Sequence, residues 1–244
     1  MNSEYPLFLP SVTRSFTDFE SALTDSNIRL KESREALYAI INKNIFKEIV
    51  IVDGSNNPIL SDNEIESFRS KGVIIEQILF QQDKGLVSEF GKGHGEMQIT
   101  NYMVEYSELV KKAGGFVKLT PRYFFDNLEN IFHIIDQHPN IFFFYYPSPI
   151  RNIKPFVMSI FYKVSLDFYK ENIEKSIQFH NKKTSGYMES VLYRQLIKKT
   201  KKGIRVAYPH FSGTSGTTGK SIRNQYVFLR NICSKLGFMA YSFK

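Results

Sequence analysis

The chain has 244 residues and a formal net charge of +8, with 42% hydrophobic and 23% charged residues, a balance that excludes a disordered protein. No apolar run reaches the roughly 20 residues of a membrane-spanning helix. The single cysteine, Cys233, excludes an internal disulfide and any multi-cysteine metal site. Residues 1–5 lack the basic start of a signal peptide, so we expect a cytoplasmic protein whose positive charge favours anionic partners.

Apolar residues at helical spacing predict a helix over residues 29–44. The continuous β-branched run that follows, at 48–52, predicts a strand buried on both faces. It ends in the turn formers Asp53, Gly54 and Ser55. The further predicted elements are, in chain order, a helix at 62–70, a strand at 73–80, a helix at 96–113, strands at 116–125, 141–146 and 156–164, helices at 166–178 and 187–198, and a strand at 204–207.

Strands that alternate with helices predict a single α/β domain, in which helices flank a mostly parallel central sheet. Ligands of such sheets bind beyond the carboxyl ends of the strands. The turn after the first predicted strand is therefore a candidate nucleotide site, with Asp53 as its acidic residue and Gly54 and Ser55 beside it.

Two glycine-rich segments resemble phosphate-binding motifs without matching them. The segment at 213–221 has Thr214 where a P-loop needs its first glycine, and the segment at 91–96 has a glutamate where a dinucleotide fingerprint needs its third. Both still qualify as anion cradles, because glycines admit a phosphate and Lys92 or Lys220 supplies positive charge. The alternative is a surface loop.

Lys118, Thr120 and Arg122 alternate along the predicted strand at 116–125, which directs all three side chains to one face. Basic residues between apolar neighbours need either acidic partners or an anionic ligand at the end of the strand. We favour the ligand, because Pro121 indicates that the regular ladder is ending.

Glu189 falls in the first turn of a predicted helix, where it is either a catalytic base or a carboxylate favoured by the helix dipole. The five histidines show no metal-ligand spacing. The sequence at 136–138, Asp-Gln-His, is not the Asp-x-Asp pair that holds the divalent ion of a nucleotide.

The order of these motifs resembles the nucleotide half of GT-A glycosyltransferases. More narrowly, it resembles bacterial transferases of lipopolysaccharide (O-antigen) and capsular polysaccharide biosynthesis. The likeness covers roughly residues 29–221 and rests on the segments 91–96, 116–123, 161–165, 187–189 and 212–219.

This resemblance implies one GT-A-like domain spanning 1–244, with a nucleotide-binding half at about 1–125 and an acceptor and catalytic half at about 126–244. It implies that Asp53 contacts the uracil or ribose, that Lys92 and Glu96 contact the nucleotide, and that Glu189 is the general base.

Where most relatives carry Asp-x-Asp, this chain reads Lys118-Leu119-Thr120-Pro121-Arg122. Lysine and arginine can offset the charge of a diphosphate directly. We therefore expect no metal cofactor, with Mg or Mn as the alternative.

The resemblance predicts a glycosyltransferase (a hexosyltransferase) that transfers a sugar from a nucleotide sugar, a UDP-sugar by preference, to a lipid-linked or growing surface-polysaccharide acceptor. The basic runs at 182–183 and 198–202 are either solvated helix ends or a peripheral contact with the anionic inner face of the plasma membrane. The alternatives are another sugar-nucleotide enzyme, such as a nucleotidyltransferase, and a basic nucleic-acid-binding module. No nucleic-acid partner is expected.

Overall fold

The computed structural model describes residues 3–14, 25–146, 155–180, 187–213 and 227–244. The strands are β1 Leu7–Ser11, β2 Glu48–Asp53, β3 Ile74–Leu79, β4 Gly115–Leu119, β5 Tyr123–Phe125, β6 Ile141–Tyr145, β7 Phe156–Ser165, β8 Lys201–Ile204, β9 Phe211–Gly213 and β10 Ala240–Phe243. The helices are α1 Ser26–Asn42, α2 Asp62–Ser70, α3 Lys84–Phe90, α4 Lys92–Tyr106, α5 Glu108–Ala113, α6 Leu128–Ile135, α7 Leu166–Asn172, α8 Ser176–Phe179, α9 Met188–Leu196 and α10 Val227–Lys235.

Eight strands form one sheet in the order β3-β2-β1-β4-β7-β6-β10-β8, and β5 and β9 form a separate two-stranded ribbon. Strands β7 and β10 run against the other six strands of the large sheet, which share one direction. The predicted α/β class, with a mostly parallel sheet flanked by helices, is confirmed. The sheet draws strands from both predicted halves of the chain, 1–125 and 126–244.

The side chains of β2 alternate between two hydrophobic clusters, one on each face of the sheet. Ile49 and Ile51 belong to the cluster beneath α1, α2 and α6, and Val50 and Val52 to the cluster beneath α4, α5, α7 and α9. The prediction that this strand is buried on both faces is confirmed. In the part of the chain described, no helix is long and apolar enough to span a bilayer.

A strand that the sequence did not predict, β1, lies between β2 and β4. It runs parallel to both, with Leu7 opposite Ile49 on one side and Val117 on the other. The strand at 48–53 is therefore the second in the chain. β1 escaped prediction because it has only five residues and includes Pro10, and its pairing with β4 ends at Phe8, before that proline.

Several predicted elements are divided or shifted in the structure. The helix predicted at 96–113 is two helices, α4 and α5, separated at Ser107, whose side chain caps α5. The strand predicted at 116–125 leaves the large sheet after Leu119 and resumes as β5 in the ribbon. The strand predicted at 204–207 lies at Lys201–Ile204. Helices α3, α6 and α10 and strands β9 and β10 were not predicted.

The buried side chain of Gln82 packs between two glycines and sets the distance between the end of β2 and helix α4. A Cβ atom added to Gly54 would come within 2.7 Å of both Gln82 Cγ and Ile99 Cδ1, and one added to Gly95 would also clash with Gln82. The two glycines therefore admit close packing of loop and helix.

Gly54→Ala is expected to lower the free energy of unfolding by about 1–3 kcal/mol, because the new methyl group overpacks a buried contact. Chemical denaturation followed by circular dichroism measures the change. Gly85→Ala in helix α3 is the matched control, since its Cβ would meet only Asp83 Oδ1 at 3.2 Å. Equal stability of the two variants would contradict the packing role of Gly54.

Candidate functional site

The carboxylate of Asp53, at the carboxyl end of β2, joins the loops that follow β1 and β2. It accepts hydrogen bonds from the main-chain amides of Thr13 (2.9 Å), Ser55 (2.8 Å) and Asn57 (3.3 Å), and from the Ser55 hydroxyl. Only 1% of Asp53 is exposed. Its oxygens therefore shape these two loops. The contact with a nucleoside, inferred from resemblance, stays a prediction.

Ser55 extends the same network towards the chain after β1. Its Oγ accepts a hydrogen bond from the Arg14 amide at 3.0 Å and lies 3.2 Å from Thr13 Oγ1, to which the Asn57 side chain donates. The Gly54 amide donates to the Ser11 carbonyl at 2.8 Å. The predicted turn thus forms a hydrogen-bonded wall at the carboxyl edge of the sheet.

Three basic side chains from separate elements interact at this edge, and we call them the cation cluster: Arg29 in the first turn of α1, Lys92 at the start of α4 and Arg122 after β4. Burial, followed by the charge of Arg122, lowers the pKa of Arg29 to about 10, against the opposing effect of Asp53 and Glu32. Burial, followed by the charges of Arg29 and Arg122, lowers the pKa of Lys92 to about 8. The charge of Arg122 thus acts on both Arg29 and Lys92, and this concentration of positive charge makes the edge a region that favours an anion.

Arg122 has a backbone conformation that is uncommon for a residue with a side chain, with φ of 74°. Gly213 of β9 pairs with Tyr123 and packs so closely on the Arg122 carbonyl that an added Cβ would clash with it. Atom Nη1 of Arg122 is buried and has no hydrogen-bond partner among the described residues. The ribbon therefore holds Arg122 in a strained position, a feature that is common at binding sites.

The prediction that Lys118, Thr120 and Arg122 alternate along one strand is wrong for Thr120 and Arg122. The strand ends at Leu119, Thr120 follows directly after it, and Arg122 lies in the turn between β4 and β5. Lys118 Nζ does donate to Thr120 Oγ1 at 3.3 Å, so those two side chains share a side.

Helix α4 begins at Lys92, and Gly91 before it is the N-cap residue, without a side-chain hydrogen bond. The glycine-rich segment at 91–96, predicted as an anion cradle, therefore comprises the N-cap and first turn of this helix. Added Cβ atoms at Gly93 and Gly95 would collide with Met188 and Gln82, so these glycines admit protein packing rather than a phosphate. This segment can bind an anion through the Lys92 side chain and the positive end of the helix dipole.

Lys118 is buried in the middle of a second group of polar side chains, with 1% of its side chain exposed. Nζ lies 2.7 Å from Glu96 Oε1 and also donates to the main-chain carbonyl of Ser159 in β7. It lies 5.4 Å from the centre of the Tyr162 ring. The sequence favoured an anionic ligand for Lys118 over an acidic partner, whereas the structure shows the acidic partner, Glu96.

Glu189 lies in the first turn of α9, as predicted, and is held against the same part of β7. Its Oε1 accepts a hydrogen bond from Ser159 Oγ at 2.8 Å. Burial raises the pKa of the Glu189 carboxyl group, and the negative charge of Glu96 raises it further. Ser159 thus connects Lys118, through its carbonyl, to Glu189, through its hydroxyl. A carboxylate with a raised pKa is suited to proton transfer near neutral pH.

One predicted site residue is not among those described, and one residue of the site was not predicted. Lys220 lies outside the described residues, so its place in an anion cradle stays a prediction. Arg29 was missed, although one signal was present: it is a basic residue in the first turn of a helix whose inner face is apolar.

In the described ranges, no group of three or more histidine, cysteine, aspartate or glutamate side chains is arranged to hold a metal ion.

No protein-family model matches this chain, and no curated protein matches it. Among solved structures, the chain resembles a protein from Bacillus anthracis, provisionally named a glucose-1-phosphate thymidylyltransferase and determined in complex with sucrose. The likeness covers 95% of each chain, with 11% sequence identity and a TM-score of 0.44. At that level it carries no argument about function.

Glu96→Gln is expected to lower the free energy of unfolding by about 2 kcal/mol, because it leaves the buried Lys118 ammonium without its counter-charge. Urea denaturation measures the loss. Glu105→Gln, on the exposed side of the same helix, is the control and should change stability by less than about 0.5 kcal/mol. If the two variants were equally stable, the ion pair would not contribute to the fold.

Proposed function

We propose that the protein is a glycosyltransferase that binds the diphosphate of a nucleotide-sugar donor at the cation cluster. The observation that carries the proposal is geometric: Arg122 is held in a strained turn with its Nη1 buried and without a hydrogen-bond partner among the described residues. Its charge lowers the pKa of both Arg29 and Lys92, in addition to the effect of burial. Charges of one sign that lie close together and partly out of water are unfavourable unless an anion offsets them. A diphosphate supplies adjacent negative charges that two arginines can contact in bidentate fashion.

The position of the cluster supports the same ligand. Lys92 begins α4, a helix of 15 residues whose positive end faces the edge where β1, β2 and β4 terminate. The wall formed by Asp53, Gly54 and Ser55 follows β2 at this edge, and we assign the nucleoside to it. Lys220 remains a further candidate for the phosphates.

The roles proposed for Lys118 and Glu96 are positioning roles. Lys118 holds Glu96 on one side and the Ser159 carbonyl on the other, and Ser159 in turn holds Glu189. We therefore assign the diphosphate to Arg29, Lys92 and Arg122, and we assign Lys118 and Thr120 to the support of the catalytic carboxylate.

In the proposed reaction, the acceptor hydroxyl oxygen attacks the anomeric carbon of the donor sugar and its proton passes to the Glu189 carboxylate. The bond between the anomeric carbon and the phosphate oxygen breaks, and the nucleoside diphosphate departs with the electron pair. The cation cluster offsets the charge that develops on that oxygen. This assignment includes a UDP-sugar donor, a lipid-linked or growing surface-polysaccharide acceptor and independence of a divalent metal.

Two rivals are less well supported by the described residues. A nucleic-acid-binding module would need aromatic side chains exposed on a positive face, and the run Phe142, Phe143 and Phe144 cannot supply them because it is buried in the two core clusters. The exposed aromatic side chains of Phe228 and Phe238 lie on α10 and in the turn after it, and not at the cation cluster. A nucleotidyltransferase would need clustered carboxylates for magnesium, and no feature of the cation cluster favours it over sugar transfer.

The affinity for UDP is expected to fall as the pH rises through about 8, because a bound diphosphate favours protonated Lys92 and raises its pKa above the value of about 8 in the free protein. The affinity for UDP is therefore highest below about pH 8 and decreases as the pH rises above it. Isothermal titration calorimetry between about pH 7 and about pH 9.5 measures the trend. Lys92→Arg should abolish the trend and keep tight binding, since arginine stays charged. Lys92→Gln should weaken binding about tenfold at neutral pH. A flat profile in the unaltered protein would contradict the role of Lys92.

Glu189→Gln is expected to reduce kcat by roughly 10²- to 10⁴-fold while UDP affinity stays unchanged, because only proton transfer is lost. Turnover of the donor that the protein accepts measures kcat. Because burial raises the pKa of Glu189, the acid limb of the rate profile should lie above the usual range of a glutamate. Glu108→Gln, in the first turn of α5 and exposed, is the matched control. Near-normal turnover by Glu189→Gln, with binding intact, would remove the base role.

A further inference from the structure

Helix α10 presents an apolar face to solvent. Five large apolar side chains of the helix and the turn after it have between 42% and 76% of their surface exposed: Phe228, Leu229, Ile232, Leu236 and Phe238. At about 100° per residue, the three positions within the helix, Phe228, Leu229 and Ile232, cover roughly 100° of its circumference. We call these five residues the apolar face of α10. Exposed apolar patches of this kind mark interaction surfaces.

The opposite side of α10, which faces the protein, is polar. Arg230 donates to the Tyr145 hydroxyl at 3.0 Å and lies 4.6 Å from the centre of that ring. Asn231 accepts from the Tyr208 amide at 2.9 Å, and Ser234 is fully buried. The helix is thus inverted relative to an ordinary surface helix, whose apolar side faces the core. Polar contacts hold it in place, and in the part of the chain that the structure describes its apolar face is exposed.

The apolar face lies at the same edge of the sheet as the cation cluster. Strand β10 runs against β6, with Ala240 opposite Phe143, and the Phe144 amide donates to the Met239 carbonyl at 2.7 Å. Phe238 therefore lies at the carboxyl end of β6, level with Tyr145. Because β6 runs in the direction of β1, β2 and β4, this is the edge at which those strands end.

Exposed basic residues border the apolar face. Lys235 lies on α10 itself, and Arg205 lies beyond the end of β8, with its Cγ 3.8 Å from where a Cβ of Gly237 would be. Lys202 lies on the edge strand β8, and its presence needs no ligand to explain it, because lysines on edge strands prevent pairing between sheets. This explanation does not apply to Arg205, which is outside the strand, or to Lys235, which is on the helix.

We propose that the apolar face of α10 docks on an anionic membrane surface, with its apolar side chains at the acyl boundary and Lys235 and Arg205 among the lipid headgroups. An apolar arc bordered by cations is the composition of helices that lie in the membrane interface. A symmetric contact between two copies would bring the same cations together in a chain of net charge +8, which disfavours self-association. The docking is independent of the chemistry at the cation cluster.

Flotation of the full chain with vesicles tests the proposal. The protein should float with phosphatidylcholine vesicles that contain roughly 30% phosphatidylglycerol and bind weakly to phosphatidylcholine alone. Leu229→Ser combined with Leu236→Ser should reduce the bound fraction at least about tenfold. Lys235→Gln combined with Arg205→Gln should remove the preference for anionic vesicles. Ile74→Ser combined with Leu79→Ser, on the opposite edge strand β3 and similarly exposed, is the matched control and should bind as the unaltered protein does.

Thermal shift with UDP, measured on every variant, separates docking from nucleotide binding and should be unchanged throughout. Three results would overturn the proposal. The first is no flotation with either vesicle, and the second is equal flotation of the Leu229 and Leu236 variant and the control. The third is a dimer in sedimentation velocity that the Leu229 and Leu236 variant abolishes, without binding to vesicles, which would assign the face to a second copy.

Discussion

The buried ion pair between Lys118 and Glu96 is the contact on which the candidate site depends. Lys118 is on β4 and Glu96 on α4, so the pair fixes the helix against the centre of the sheet. The same ammonium contacts the Ser159 carbonyl, and the Ser159 hydroxyl contacts Glu189 at the start of α9. One desolvated cation thus sets the relative positions of two helices that bring functional side chains to the carboxyl edge.

The geometry of an α-helix converts this ion pair into a location for the cation cluster. Lys92 precedes Glu96 by four residues, about one helical turn, so both lie on the same side of α4. With Glu96 held by Lys118, Lys92 is directed towards Arg29 and Arg122, whose positions depend on other contacts. Arg29 donates to the Val12 carbonyl at 2.8 Å after β1, and Gly213 packs against Arg122. The charge of Lys118 is compensated by Glu96, whereas burial and the charges of Arg29 and Arg122 lower the pKa of Lys92.

The features that sequence predicted well are those encoded by local patterns. The β-branched run at 48–53 and the first-turn position of Glu189 need only neighbouring residues to be recognised. The features it missed depend on distant parts of the chain. The conformation of Arg122 is held by Gly213 about ninety residues later, and β1 is recognisable as a strand only through its two neighbours. The glycines of α4 were assigned to phosphate because the packing of Met188 and Gln82 is not visible in sequence.

The most direct test of the central claim, that the cation cluster binds a nucleoside diphosphate without a metal, is a thermal-shift titration in EDTA. The ligands are UDP, GDP, CMP and single-stranded RNA, and the proteins are the unaltered chain and Arg122→Gln. The account predicts that one nucleoside diphosphate raises the melting temperature selectively, that EDTA does not diminish the shift, and that Arg122→Gln reduces it. A shift that requires manganese, or salt-sensitive stabilisation by RNA with no response to any nucleotide, would contradict it.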